Sequence, residues 1–308
     1  MEQVSRKKSL LLMGSTGFLG CAVLNRLKSQ DLQDWEILIS CSTYPKSPIL
    51  FSLLDPNLEP ASTFDESYLV EHLRSDLIVI NCASSRNSRN EDLSQQGNFE
   101  FPKRVLELLL AVKGLNTKWI QIETFWQYSK TPIPDASYVQ WKNRFSAILA
   151  ESSRNGDFEV EKLVLPHLIG PFDGPNRFLP KVFFKLLRNE TVHVNSPDEL
   201  FCLADVRDVA DYLVRTLGNL ATNQDSDALL FPYHELSLRE IVFRFLVKVD
   251  SKSKVNFESP ETITNPALVL NEQPPLLKSS QQMLRSLDST FDEIAQWLSG
   301  THQIDNLQ

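Results

Sequence analysis

Tyr138 and Lys142 stand four residues apart in Tyr138-Val139-Gln140-Trp141-Lys142, within a stretch whose spacing predicts a helix from Tyr138 to Glu151. An i, i+4 spacing puts both side chains on one helix face. An ammonium beside a phenol favours the phenolate. Such a pair can protonate an alkoxide as a hydride arrives, or remove a proton in the reverse direction. A second signal lies near the start of the chain. Gly14, Gly17 and Gly20 form G-x-x-G-x-x-G after the apolar run Ser9 to Met13 and ahead of a helix expected over Phe18 to Leu27. Glycines there permit a tight turn, a close backbone approach to a pyrophosphate, and a helix packed near its strand. Ser15, Thr16, Phe18 and Leu19 complete that turn and the helix start, whose free N–H groups hold phosphates. The context of strand before and helix after makes this a dinucleotide-binding turn.

The end of the next strand distinguishes the two nicotinamide cofactors. An acid there binds the ribose diol of NAD, whereas NADP sites offer a cation instead. The residues are Ile39-Ser40-Cys41-Ser42-Thr43-Tyr44-Pro45-Lys46, with no acid. Ser42 and Lys46 are therefore expected to meet a 2′-phosphate, with NADP(H) preferred and NAD(H) possible.

These groups need a scaffold that brings strand ends together. Short apolar runs recur at Glu36 to Ile39, Asp76 to Ile80, Trp119 to Ile122 and Lys162 to Leu165. Between them lie helical stretches, including Phe101 to Val112 with Pro102 in its first turn. Such alternation predicts an α/β fold, a Rossmann doubly wound parallel sheet built from right-handed βαβ units. After Gly170 the texture changes to a turn-rich loop, helices at Phe178 to Arg188 and Asp205 to Leu217, and Pro- and Ser-rich connections beyond Phe231. The expected division is a cofactor-binding domain over 1–175, to which a strand and helix near 200–235 return, and a smaller, mainly substrate-binding lobe over 176–308.

Composition narrows the possibilities. The 308 residues carry a formal net charge of −8 and are 42% hydrophobic and 23% charged. That balance excludes a disordered chain, a collagen and a coiled coil. With no basic block, nucleic acid is not an expected partner. No apolar run reaches the roughly 18 residues of a membrane span. The four cysteines, Cys21, Cys41, Cys82 and Cys202, show no C-x-x-C pair and are expected to be reduced and mostly buried. His193 and His234 lack partners at ligand spacing, so no metal site is expected.

Taken together, these motifs resemble the extended short-chain dehydrogenase/reductases of the NAD-dependent epimerase/dehydratase family, over nearly the whole chain. Gly14, Gly17 and Gly20 match the cofactor motif, and Asn81-Cys82-Ala83-Ser84 matches the strand end that borders the cofactor. Asn98 falls where the family opens its central helix, and Tyr138 and Lys142 match the catalytic pair. Gly170-Pro171 and Val206-Arg207-Asp208-Val209-Ala210 match two further motifs. The stretch from Pro166 to Pro180 and Glu123-Thr124-Phe125-Trp126 are similar to the CDP-abequose synthase-like nucleotide-sugar 4-ketoreductases. The resemblance implies cytoplasmic reduction by NADPH of a nucleotide-linked 4-keto-deoxysugar for surface polysaccharide, with hydride to C4 and a proton from Tyr138. It implies cofactor contacts from Cys82, Ala83, Ser84, Lys142 and Pro166, and substrate contacts from Glu123, Asn98, His167 and Arg177. It also implies a homodimer formed through Phe101 to Val112 and Tyr138 to Glu151.

Two positions depart from the family. Its catalytic Ser or Thr aligns with Ile122, which cannot hydrogen-bond a carbonyl; Thr124, on the same face of a continuing strand, is the expected substitute. Its diphosphate-gripping arginine aligns with Phe201, leaving Arg177 or Lys181 to take over, or a different ligand. His167 reads equally as a sugar contact or a packed histidine, and Glu123 as an acid or a loop-capping carboxylate. Two other functions remain open: a nucleotide-sugar 4-epimerase with bound NAD, and a cofactor-binding regulatory protein without turnover.

Overall fold

The computed structural model describes residues 8–30, 32, 34–40, 66–85, 91–129, 135–174, 177–218, 228–258, 274–277 and 284–305. Ser42 and Lys46, the expected 2′-phosphate contacts, lie outside them. Six strands form one parallel sheet: β1 (Lys8–Met13), β2 (Trp35–Ser40), β3 (Asp76–Asn81), β4 (Asn116–Thr124), β5 (Glu159–Leu165) and β9 (Leu229–Leu230). Their order is β2-β1-β3-β4-β5-β9. Chain order reverses between β1 and β3, which leaves a crevice at the carboxyl ends of those two strands.

Both faces of this sheet are covered, so its strands are apolar on both sides. On one face Leu10, Leu12, Ile78, Ile80, Ile120 and Ile122 pack against α1 (Phe18–Leu27) and α7 (Val206–Gly218). On the other, Leu11, Met13, Val79 and Trp119 meet Val105 and Leu109 of α4 (Phe101–Ala111) and Phe145 and Leu149 of α5 (Ala136–Arg154). Earlier in the chain lie α2 (Glu66–His72) and α3 (Glu91–Gln95). The helical stretch that holds α4 begins earlier than the sequence suggested, because α3 and a π-helical turn, Gln96–Glu100, run directly into it. Pro102 thus sits inside a continuous helical stretch. Its missing N–H falls just after the π turn, where the α ladder is already out of register.

Three strands, β6 (His167–Ile169), β8 (Leu200–Asp205) and β10 (His234–Ser237), make a second sheet in the order β10-β8-β6. A parallel pair of β7 (Val192–Asn195) with β11 (Val255–Glu258) stands apart. A separate core of Phe183, Phe245 and Phe291 joins α6 (Phe178–Leu187), α8 (Leu238–Lys248) and α9 (Leu287–Asp305), with Phe183 and Phe245 stacked at 3.9 Å. Buried Asp205, at the end of β8, accepts from Arg207 Nε at 2.9 Å and from Thr290 Oγ1 of α9 at 2.7 Å. Burial pushes its carboxyl up, but these donors and the Arg207 charge outweigh burial and hold it below the usual carboxylate range. Arg285 engages both Asp208 and Asp211 of α7, and Arg26 of α1 pairs with Asp211.

Among the described residues, Cys21, Cys82 and Cys202 are free thiols. No group of His, Cys, Asp and Glu among them could hold a metal, and no helix is long and apolar enough to cross a membrane. The outward face of α5 exposes Gln140, Asn143, Arg144 and Glu151, so this half of the expected dimer surface is largely polar.

Candidate active site

The glycine turn sits over the crevice between β1 and β3. Gly14 has φ +72°, and a Cβ on it would lie 2.7 Å from the backbone of Ala83. The turn and the β3 end are therefore in backbone contact, bringing Cys82, Ala83 and Ser84 beside Gly14. A Cβ on Gly20 would fall 2.1 Å from Gly14 O, so α1 crosses the turn at the closest approach a chain permits. Gly14 and Ser15 donate their N–H groups to Ser40 O at 3.0 and 3.2 Å, tying the turn to the β2 end.

Helix α1 starts at Gly17 with no side-chain cap and no acid in its first turn. Its leading N–H groups and the positive end of its dipole have no internal anion to satisfy them. Ser40 Oγ, buried at the end of β2, finds no hydrogen-bond partner among the described residues. A bare helix start and an orphaned hydroxyl at the strand end fit a dinucleotide's pyrophosphate and adenosine ribose. Gly14, Ser15, Thr16, Gly17, Phe18 and Leu19 all lie on this turn and helix start. Pro166 is buried between β5 and β6.

Strand β4 runs on to Thr124, and α5 lies on the face of the sheet to which Trp119 points. Lys142, 4% exposed, donates from Nζ to Ile122 O at 2.9 Å. Its Nζ also lies 5.7 Å from the Tyr138 ring centroid. The structure thus brings Tyr138 and Lys142 together at the end of β4. Cys82 also sits near Lys142. Burial pushes its thiol up to about 12 although the ammonium pulls the other way, so the thiol stays protonated.

Gln121 is the residue that sequence reasoning missed. Its side chain is buried and accepts from Asn81 Nδ2 at 2.9 Å and Trp119 Nε1 at 3.1 Å, and it donates to Ile122 O at 3.1 Å. Asn81 in turn accepts from Ala83 N–H at 3.1 Å. One network therefore joins the turn bordering the cofactor crevice to the carbonyl that holds Lys142. The available signal was Gln121 and Glu123 alternating with Ile120 and Ile122, two polar groups on one face of a strand too central to be wet. Gln121→Leu leaves Asn81 and Trp119 donors buried without an acceptor. It is expected to lower the stability read from a urea transition by about 2 kcal/mol; a change under about 0.5 kcal/mol would show the network to be idle.

Thr124 caps the 3-10 turn Phe125–Tyr128, its Oγ1 accepting from Trp126 N–H at 3.4 Å while Gln127 Oε1 accepts from its own N–H at 2.9 Å. A hydroxyl that accepts still has its proton to donate. Ile122, at the position of the family's hydroxyl, packs instead into the core. Glu123 is 3% exposed and accepts from Tyr128 Oη and Ser146 Oγ, which occupies both carboxylate oxygens. Burial, reinforced by the Glu123 charge, pushes the Tyr128 phenol well above its ordinary range. Asn98 sits in the π turn, donating to Ser85 O and Ser94 O at 2.7 Å each, and so pins the loop after β3. His167 is half-buried between Trp126 and Phe201. Arg177 reaches Asp173 at 3.0 Å and lies over the Phe18 ring. A Cβ on Gly170 would meet Val206 at 2.9 Å and Phe18 at 3.5 Å, so this loop closes against the start of α1.

The sequence profile of the NAD dependent epimerase/dehydratase family matches residues 10–229. No curated relative matches the chain. Solved structures do. UDP-glucuronic acid 4-epimerase from Bacillus cereus, in complex with NAD, is 14% identical with a TM-score of 0.72, covering 95% of this chain and 99% of that one. A GDP-L-fucose synthetase from Naegleria fowleri bound to NADP is 13% identical with a TM-score of 0.70, covering 97% and 94%. A dTDP-glucose 4,6-dehydratase from Streptomyces venezuelae, with NAD bound, is 15% identical with a TM-score of 0.73, covering 96% and 98%. At such identities the likeness speaks for the fold. The profile match, the glycine turn over the sheet crevice and the Tyr138–Lys142 pair together place the chain in the NAD dependent epimerase/dehydratase family, as an NAD(P)-dependent oxidoreductase of the extended short-chain dehydrogenase/reductase type.

Proposed function

We propose that the chain reduces the 4-keto group of a nucleotide-linked deoxysugar with NADPH, as a step toward a surface polysaccharide. The observation that carries this reading is Lys142 held by Ile122 O beside Tyr138, at the strand end next to a bare, glycine-built helix start. A bound nicotinamide supplies the hydride to C4. Tyr138 gives its phenolic proton to the developing C4 oxygen, and Lys142 stabilises the phenolate left behind. Thr124 donates a hydrogen bond to the same oxygen and keeps its proton. Most of the chain beyond α6's start forms the lobe that closes over the sugar, while α7 and β9 return to the large sheet. The Bacillus, Naegleria and Streptomyces proteins named above are named for UDP-, GDP- and dTDP-linked sugars, which supports a nucleotide-linked ligand here.

Calorimetric titration with NADPH and NADH, followed by loss of reduced-cofactor absorbance with CDP- and dTDP-linked 4-keto-6-deoxysugars, tests this. NADPH oxidation is expected, with Thr124→Val about 100-fold slower, as for loss of one oxyanion donor. Tight cofactor binding with no oxidation on either sugar would remove the reductase. It would favour a 4-epimerase with bound NAD or cofactor binding without turnover, which a test for retained NAD separates; the core-packed Ile122 lends support to the latter.

A further inference from the structure

Five rings run outward from Tyr138. Trp126 meets Tyr138 edge-on at 6.4 Å between centroids, and His167 meets Trp126 at 6.0 Å. Phe201 lies 5.2 Å from His167 and near-parallel to Phe178 at 6.2 Å. The run passes from closed to open: Tyr138 is 6% exposed and Phe178 51%. The 3-10 turn, β6, β8 and the first residue of α6 each supply one of its outer rings. Among the described residues, no cation stands over Phe178 or Phe201 at its open end, whereas Lys142 lies over the Tyr138 ring at its closed end. Arg177, next to Phe178, is held by the buried carboxylate of Asp173 and lies over Phe18. Lys181, one turn further along α6, is exposed to solvent, where its charge is screened.

Aromatic faces carry the negative part of the ring quadrupole. They repel phosphate and attract planar rings. We propose that the nucleoside end of the ligand is bound by stacking on Phe178 and Phe201, and that its diphosphate is not clamped by charge. This rests on the nucleotide-linked reading above and specifies how that ligand is held. An uncharged nucleoside binds nearly as well as its diphosphate, and salt hardly matters. Stacking a base on an aromatic ring accounts for roughly tenfold in affinity.

The test titrates the full-length protein, saturated with NADPH, with cytidine, CDP, thymidine and dTDP at low and high salt. Nucleoside and diphosphate are expected to agree within about threefold and to change little with salt. Phe201→Ala weakens both about tenfold. Phe201→Leu, which keeps volume without the ring, repeats that loss if the alanine variant fails to fold. Phe201→Arg gains affinity for the diphosphates alone, and only at low salt. If the wild type binds CDP or dTDP more than about 30-fold tighter than the nucleoside, with a steep fall in salt, a charge clamp exists and stacking is overturned. Turnover of the nucleotide-linked ketosugar would then still stand. If none of the four binds, both stacking and the nucleotide-linked reading fall, and Tyr138-dependent reduction of a simple ketone would show that only the ligand class was wrong.

Discussion

Replacing Tyr138 by Phe is expected to lower turnover about a thousandfold while leaving the fold and cofactor affinity nearly unchanged. The ring stays, so its edge-on contact with Trp126 at 6.4 Å is kept. What disappears is the one proton that the site can hand to an alkoxide beside Lys142. Lys142→Met should fall by a similar factor for a different reason. It removes the ammonium and leaves Ile122 O with Gln121 as its remaining side-chain donor. Cofactor affinity should suffer as well in that variant, because Lys142 borders the crevice, whereas Tyr138→Phe spares it. Single-turnover absorbance and calorimetry on the same preparations separate the two effects. A Tyr138→Phe enzyme within threefold of wild type would show that Tyr138 is not the proton donor.

The second large effect is predicted at Gly20. An alanine methyl there would lie 2.1 Å from Gly14 O, 2.8 Å from Gly14 C and 2.9 Å from Ser15 Cα. All three are backbone atoms, so no rotamer change relieves the clash. Either α1 lifts from β1, or the turn opens. The expected cost is about 3 kcal/mol of stability, with cofactor affinity reduced about 100-fold, because the same backbone would cradle the pyrophosphate. Gly114→Ala is the control. Gly114, unlike the helical Gly20, has positive φ, +82°, but a methyl there would meet nothing within 4 Å. It should therefore lose only about 1 kcal/mol, from backbone strain alone. Urea transitions of the two variants side by side decide this; equal losses would mean that the close crossing of α1 is not what the glycine provides.

Much of this scaffold could be read in advance, for reasons that differ by element. Helix α1 begins at Phe18 and ends at Leu27 as expected, because a glycine turn sets its start and its apolar face is regular. The central strands were visible as apolar runs because they are buried on both faces. Strands β6, β7, β10 and β11 were not, being three or four residues long and paired with segments far away in the chain. At the site, Tyr138 and Lys142 were legible because i, i+4 spacing alone places them together. The partner of Lys142 was not, because it is a main-chain carbonyl, and every residue has one of those. The polar pair Gln121 and Glu123 gave a signal that only a sheet position could interpret. An alternating strand suggests one wet face, and the surrounding order makes both faces dry.

The π turn at Gln96–Glu100 can also be counted as chain length. A π turn is an α-helix carrying one residue too many. Here the surplus coincides with Gly97, where a Cβ would meet Ser85 Cβ at 2.8 Å, and with Asn98, which grips Ser85 from both ends of its amide. A single-residue deletion would bring the α ladder into register at Pro102, which has no N–H to complete it, turn the segment before it by about 100°, and carry Asn98 away from the loop after β3. The helix beyond Pro102 would survive the deletion, and the loop beside the cofactor crevice would lose its anchor. Insertions and deletions at this one place would thus act as a length-encoded adjustment of the crevice rim, with no contact to any ligand required.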